Sequence, residues 1–290
     1  MDFIMFTQLF NEIDKVTKTY VTDISSKAIA TITPFVSIGL TIAFIIYGWL
    51  IIRGVVDMPV ASFLNRCLRA SIITSIALTT GLYQPEITQF ITEIPNDLLT
   101  SLLDKPIKGP HLNRLIDTVA ERGFECASKA FEEAAFLDGD GILYGFFGIL
   151  ILLATSFLAA IGGAFILLTK IALVLLAGLG PIFIIALLWQ PTYRFFEQWI
   201  VQILSYTILT VLLATVFSLM MNIFANYMSD LKFDGKQNVG FALGGALILA
   251  IISIMLLLKL SSVASSLAKG FTFGHLWRLD HPSRNNRTTK

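Results

Sequence analysis

Charged residues are scarce in this chain, and long stretches contain none. Of its 290 residues, 14% are charged and 55% are hydrophobic, whereas an average soluble domain has roughly 25% charged residues. No charge occurs between Lys27 and Arg53, and Lys170 alone occurs between Asp140 and Arg194. A helix of about 20 mostly apolar residues is long enough to cross a membrane. This distribution excludes an ordinary soluble globular protein and a disordered chain.

Residue types that usually build chemical sites are also few. The sequence has two cysteines, Cys67 and Cys126, and three histidines that lie far apart on polar segments. Two cysteines exclude a disulfide-stapled module, and we predict no metal site and no cofactor. The sequence has neither a GxxxxGK[ST] phosphate loop nor an HExxH metal motif. We therefore expect no catalysis by this chain, while its net charge of +1 indicates nothing about acidic partners.

The N-terminal region, 1–31, has the pattern of an amphipathic helix. Hydrophobic residues recur every three or four positions from Phe3 to Ile24, and acidic residues interrupt any signal-peptide core. We predict a helix over 2–27. It either packs on its own bundle or lies in the membrane interface.

Six apolar segments follow, and they predict an all-α polytopic integral membrane protein with about five to six transmembrane helices. The first two form the region 32–83, and the second of them has few apolar residues and includes Arg66 and Arg69. The other four lie in 142–258. The six segments are 32–52, about 60–85, 142–169, 171–189, 199–224 and 239–258.

The stretch 142–193 contains two glycine sites, Gly162-Gly163 and Gly178-Leu179-Gly180-Pro181. Because Gly and Pro at membrane depth need neighbours to satisfy the backbone, we predict a kinked, broken or re-entrant path here. Lys170 is the only ionisable residue deep in apolar sequence. It either contributes to a pathway through the membrane or reaches the membrane surface from a helix end or turn.

Basic residues dominate the tail, 259–290, which predicts a cytoplasmic C-terminus under the positive-inside rule. The preferred topology has five net crossings, with the N-terminus and the loop 84–141 outside the cytoplasm. The alternative has six crossings and both ends inside. In the preferred topology Cys67 and Cys126 lie on opposite sides of the membrane, so they are not expected to pair.

The acidic loop, 84–141, has a net charge of −6. Prolines interrupt its first third, and helical periodicity follows over 112–137, with Asp117, Glu121 and Glu125 on the polar face. Its apolar face is rich in small residues, which allow close helix packing: Cys126, Ala127, Ala130 and Ala134. Either this helix folds on its own protomer, or it lines a homo-oligomer axis or docks an extracytoplasmic partner.

The stretch 178–206 contains a possible helix kink, a possible ion pair and an anchoring tryptophan within thirty residues. Gly180-Pro181 marks a kink, and Arg194 and Glu197 stand three residues apart, where they can form an ion pair. Trp199 has the position of an interfacial anchor. An anchored turn between two spans explains most of these residues, but it does not explain their density.

This stretch resembles the TrbL-like family, the polytopic inner-membrane subunits of bacterial type IV secretion systems. The similarity lies in Gly180-Pro181-Ile182-Phe183, in the turn that contains Arg194, Glu197 and Trp199, and in the layout of 2–260. It implies a subunit of the bacterial inner membrane, with 84–141 in the periplasm, that supports pilus biogenesis and the transfer of DNA or effector proteins.

The resemblance also implies partners. These are further copies of the chain in a five-fold ring, minor and major pilin subunits, other inner-membrane secretion subunits with their ATPases, membrane lipids, and transient contact with DNA or protein cargo. The main alternative function is a secondary transporter for a small solute, although the two halves show no inverted repeat. An intramembrane enzyme has the least support.

Overall fold

The computed structural model describes residues 4–55, 59–80, 83–102, 109–134, 139–230 and 239–270. Regular structure in these ranges is helical, which confirms the all-α fold class. The α-helices are α1 (Met5–Ile52), α2 (Pro59–Leu78), α3 (Gln89–Leu102), α4 (Gly109–Ala134), α5 (Gly139–Ile185), α6 (Tyr193–Asp230) and α7 (Val239–Lys269). A π-helix, Tyr83–Thr88, precedes α3, and two 3-10 turns, Ala186–Leu188 and Gln190–Thr192, join α5 to α6.

The N-terminal helix and the first span form one continuous helix, α1. Pro34 therefore lies in a helix interior. The residues 28–31, between the two predicted segments, include no glycine or proline that would end a helix. The boundary between 27 and 32 is a change of composition along α1 and not a break in it.

The sequence predicts a kinked, broken or re-entrant path over 142–193. Helix α5 is not interrupted at either glycine site, because it continues through Lys170 to Ile185, and the chain leaves the α-helix only at the 3-10 turns that follow. The glycines serve close packing instead. A Cβ atom on Gly162 would overlap the Phe217 ring, and one on Gly163 would lie 2.7 Å from the Phe6 ring. At about 1.5 Å per residue, α5 reaches about 70 Å, more than twice the hydrocarbon thickness of roughly 30 Å.

Helix directions follow from residues that meet across the bundle. Phe6 of α1 lies against Gly163 of α5, and Gly39 of α1 lies against Trp189 beyond the end of α5, so α1 and α5 run parallel. Helix α6 returns antiparallel to α5, and α7 is antiparallel to α6, since the Tyr227 ring lies over Gly245.

Four described helical segments are long and apolar enough to cross a membrane: Met5–Ile52, Tyr144–Leu188, Gln190–Met228 and Gly244–Lys269. The six predicted apolar segments fall on five helices, because 142–169 and 171–189 share α5. Helix α2 holds the weak second segment and is not among these four.

The described part of the acidic loop is more helical than predicted. Its first third forms the π-helix and α3, which includes Pro95. Helix α4 matches the predicted helix to within a few residues and packs antiparallel on the start of α5, where a Cβ atom on Gly148 would lie 2.8 Å from the Phe131 ring. The two helices share one hydrophobic core with α6 and α7.

Candidate functional site

A second hydrophobic core joins α1, α2, α3, α5 and α6, and at its centre lies a backbone carbonyl group that lacks its usual helical partner. Pro181 has no N–H group, so the carbonyl of Ala177, four residues earlier, cannot receive the usual i→i−4 hydrogen bond of an α-helix. The Tyr83 hydroxyl group donates a hydrogen bond to this same carbonyl oxygen. The sequence therefore pairs a helix-disrupting proline with a distant tyrosine that compensates for it.

Trp199 on α6 completes this arrangement. Its indole N–H group donates to the carbonyl oxygen of Leu176 at 2.9 Å, and only 4% of the residue is exposed. Its ring is stacked with Phe183 at 5.9 Å between centroids and lies 5.7 Å from Phe196. Both polar groups of the buried tyrosine and tryptophan thus bind adjacent carbonyls of α5.

Gly180 makes this geometry possible. A Cβ atom there would overlap the Tyr83 hydroxyl group and would lie 2.9 Å from the Trp199 ring. We call Tyr83, Ala177, Gly180, Pro181 and Trp199 the Tyr83–Trp199 cluster. It fixes the π-helix and α6 to α5 at one level.

Arg194 and Glu197 lie at the edge of this region. Arg194 is exposed and Glu197 is half-buried. The ion pairs found within the described residues do not include these two side chains; the Glu197 carboxylate instead faces the hydroxyl group of Tyr193, with Arg69 nearby. Trp189 is half-buried beside Gly39 of α1.

Lys170 lies in the middle of α5 and binds Asp14 of α1. Its Nζ atom lies 2.9 and 3.0 Å from the two carboxylate oxygens, and the ammonium group is 5.4 Å from the Phe10 ring centroid. The pair lines a cavity of about 600 Å³ between α1, the π-helix with α3, α5 and α6. Lys170 is thus neither at a helix end nor at a turn.

The small-residue face of α4 is buried within this chain. Cys126, Ala127 and Ala130 are almost fully buried and Ala134 is half-buried, which corresponds to the first of the two arrangements considered for this helix. The two cysteines are free. A role of α4 in an oligomer stays a prediction, and it would use side chains other than these.

Asp117 is not on a solvent face, as its spacing from Glu121 suggested. It is 4% exposed and accepts hydrogen bonds from the Phe6 and Thr7 amides, both at 2.9 Å, and from the Thr7 hydroxyl group at 2.6 Å. A carboxylate at a helix N-terminus satisfies free amides and complements the helix dipole. Asp117 therefore caps α1 from α4.

Tyr83, Asp14 and Asp117 are the important residues that sequence reasoning missed. Each acts on a group far along the chain, as the separation of 156 residues between Asp14 and Lys170 illustrates. The one local signal was Pro181, since a buried proline requires a donor for the carbonyl four residues earlier. Within the described residues, no group of three or more His, Cys, Asp or Glu side chains could bind a metal ion.

Residues 40–260 match the family described as TrbL/VirB6 plasmid conjugal transfer protein, and this range contains Gly180, Pro181 and Trp199. The chain belongs to the TrbL/VirB6 family. The resemblance to TrbL-like proteins is thereby confirmed. As a TrbL/VirB6 protein with apolar helices long enough to span a membrane, it is a membrane-embedded subunit of a type IV secretion system.

Curated relatives cover most of the chain. The type IV secretion system protein VirB6 of Bartonella quintana (strain Toulouse) is 24% identical over 264 residues, which is 90% of this chain and 78% of that protein. VirB6 of Bartonella henselae is 25% identical over 254 residues, or 86% and 76% of the two chains. VirB6 of Brucella abortus biovar 1 is 25% identical over 236 residues, or 78% and 65%.

Proposed function

We propose that this TrbL/VirB6 protein is a non-catalytic channel or assembly-platform subunit of an inner-membrane secretion complex, in which it supports pilus biogenesis and the transfer of DNA or effector proteins. The family match over 40–260 carries this proposal. The Tyr83–Trp199 cluster supports it, because a region that lies within the match is built for rigid packing. Energy would come from partner ATPases.

The proposed assembly is a five-fold ring of this chain that holds minor and major pilin subunits and contacts other inner-membrane subunits. Apolar surface available for lipids and neighbouring subunits is large. On α1, Phe35, Ile38 and Ile45 are each at least 60% exposed, and Ile52 is 85% exposed. Exposed apolar area on this scale marks contact with lipid or protein.

A topology with five crossings fits the helix directions. Helices α1, α5 and α7 run one way and α2 and α6 would run the other, so an extracytoplasmic N-terminus goes with a cytoplasmic C-terminus. The sequence 84–141 would then be periplasmic. Most of the basic residues of the tail lie outside the described residues, although Lys259 and Lys269 are on α7.

Labelling of introduced cysteines tests this topology. Native Cys126 is unsuitable because it is buried, so lack of labelling there would not indicate its side of the membrane. Ser128 is exposed on the same helix. In a Cys67→Ser, Cys126→Ala background, we expect an impermeant maleimide to label Ser128→Cys in spheroplasts without permeabilisation. Labelling that requires permeabilisation would contradict a periplasmic α4.

Substitution of Trp199 tests the assembly function. Trp199→Ala removes the indole hydrogen bond to Leu176 and the stacking with Phe183, so we expect less secretion complex and less substrate transfer at a normal membrane level of the chain. Tyr20→Ala is the control, because that aromatic residue is 53% exposed on α1 before the apolar segment 32–52. Unchanged transfer by Trp199→Ala would contradict the proposal.

One observation favours the alternative function, a secondary transporter for a small solute. The cavity beside Lys170 and Asp14 has the volume of a small-molecule site, and charged residues inside apolar helices often mark solute pathways. Uptake of a solute by the purified chain in vesicles, abolished by Lys170→Met, would support the transporter over the assembly platform.

A further inference from the structure

We propose that the cavity between α1, the π-helix with α3, α5 and α6 binds the headgroup of a lipid that carries a primary ammonium group and a phosphate, as phosphatidylethanolamine does. This inference does not depend on the secretion role. The cavity has a volume of about 600 Å³, which is sufficient for a headgroup of this size. Its lining includes Lys170, which is charged and lies within the long apolar helix α5.

The cavity wall is rich in hydrogen-bond acceptors. Five threonines line it, and two of them donate their hydroxyl protons to carbonyls of their own helix: Thr92 to Thr88 and Gln89, and Thr210 to Tyr206. Their oxygen lone pairs remain available as acceptors. The wall therefore suits a ligand that donates hydrogen bonds.

Glutamine amides add few free donors. The Gln84 amide nitrogen already donates to the Thr22 carbonyl and to the Ser25 and Ser26 hydroxyl groups, at 2.8 to 3.0 Å. The Gln89 amide nitrogen donates to Glu93 at 3.0 Å. Most donors of this wall are thus occupied by protein groups, which again favours a ligand rich in N–H groups.

The charged side chains that line the cavity favour a zwitterionic ligand. Asp14 and Glu93 supply two carboxylates, and Lys170 supplies one ammonium group. An ammonium group of the ligand matches the carboxylates and the threonine oxygens. Two of the three Lys170 protons serve Asp14, so the third is available to one anionic oxygen. A primary amine next to a phosphate has both features.

The exposed apolar residues near the cavity favour a membrane lipid, and not a free soluble zwitterion, as the ligand. Exposed apolar residues stand next in sequence to lining residues on three helices: Val16 beside Thr17, Phe90 beside Gln89, and Ile171 beside Lys170, at 61%, 67% and 43% exposure. These side chains offer a surface for acyl chains beside the headgroup. A free zwitterion such as glycerophosphoethanolamine would use the polar cavity but would gain nothing from this apolar rim.

The test compares lipids that share acyl chains and differ in headgroup. The full-length chain is purified in mild detergent, stripped of lipid, and titrated with phosphatidylethanolamine, phosphatidylcholine or phosphatidylglycerol while binding is followed by native mass spectrometry. We expect phosphatidylethanolamine to bind about tenfold more tightly than phosphatidylcholine, whose quaternary amine has no N–H group. Equal binding of these two lipids would overturn the proposal.

Variants assign the binding to this cavity. Glu93→Gln removes a carboxylate that holds no other helix in place, so we expect about a tenfold loss of phosphatidylethanolamine binding in a normally folded chain. Lys170→Met should weaken binding as well. The matched control is Lys27→Met, whose ion pair with Asp23 at 2.7 Å is exposed on α1.

Two results would refute the assignment. Unchanged lipid selectivity in Glu93→Gln would place the binding elsewhere. Competition by soluble glycerophosphoethanolamine at the same concentration as the intact lipid would show that the acyl chains contribute nothing, which would overturn the lipid source. In neither case would the Trp199→Ala transfer assay be affected, so failure here is distinguishable from failure of the secretion role.

Discussion

Tyr83→Phe tests the link between Pro181 and the Tyr83–Trp199 cluster most sharply. The substitution removes only the hydroxyl group that donates to the Ala177 carbonyl oxygen. That carbonyl then lacks this donor as well as the usual helical one, because Pro181 supplies none. A buried acceptor without a partner costs about 1–3 kcal/mol, and measured side-chain hydrogen bonds between membrane helices reach about 1.7 kcal/mol. We expect Tyr83→Phe to lower the free energy of unfolding by about 1–2 kcal/mol.

A double-mutant cycle isolates this effect. Pro181→Ala restores an amide N–H group to α5, so the Ala177 carbonyl regains a helical donor. In that background we expect Tyr83→Phe to cost less than about 0.5 kcal/mol, which gives a coupling of about 1 kcal/mol between the two sites. Reversible unfolding by SDS in mixed micelles, followed by far-UV circular dichroism, measures each corner of the cycle.

Tyr47→Phe is the matched control. The Tyr47 hydroxyl group is buried on α1 and has no hydrogen-bond partner among the described residues, so its removal should not lower stability. The reasoning is refuted if Tyr83→Phe costs the same in the presence and absence of Pro181, or if both tyrosine substitutions have equal effects.

Three further predictions concern packing, capping and thiol reactivity. Gly162→Ala should lower the free energy of unfolding by about 1–3 kcal/mol because the added methyl group overlaps the Phe217 ring. Gly244→Ala, which has open space around it, should raise the free energy of unfolding by about 0.5–1 kcal/mol. Equal effects of the two substitutions in SDS unfolding would contradict this packing. Asp117→Asn should loosen the start of α1 and cost about 1–2 kcal/mol, with faster amide exchange at Phe6 and Thr7, while exposed Glu125→Gln should be neutral. Burial raises the pKa of the Cys126 thiol to about 11, so maleimide labelling of this residue in the folded chain should rise only as the pH approaches that value. Half-buried Cys67 should label faster at neutral pH because the reagent reaches it more easily; equal rates would refute the burial of Cys126.

The helical class and most segment positions could be predicted because they depend on local composition. Runs of apolar residues and a period of 3.6 are visible in any short window. Continuity of α5 could not be predicted this way. A glycine pair weakens a helix locally, but the same pair also admits a neighbouring ring, and the Phe217 ring that decides the matter at Gly162 lies on another helix.

The candidate site shows the same limit. Sequence reasoning singled out Gly180, Pro181 and Trp199 by their density and their resemblance to one family, but it could not identify Tyr83, which completes the hydrogen bonds of α5. Asp117 has the helical spacing of a solvent-facing acid, and only the tertiary fold brings the N-terminus of α1 to it. Partners distant in sequence leave no local pattern.

Native purification tests the central claim most directly. The chain, extracted from its own membranes in mild detergent, should run as a homo-oligomer far above 32.0 kDa and should bring type IV secretion subunits, including ATPases and pilin-like proteins, with it. Recovery of a monodisperse 32.0 kDa monomer that carries none of these subunits, from cells in which secretion is active, would contradict the account.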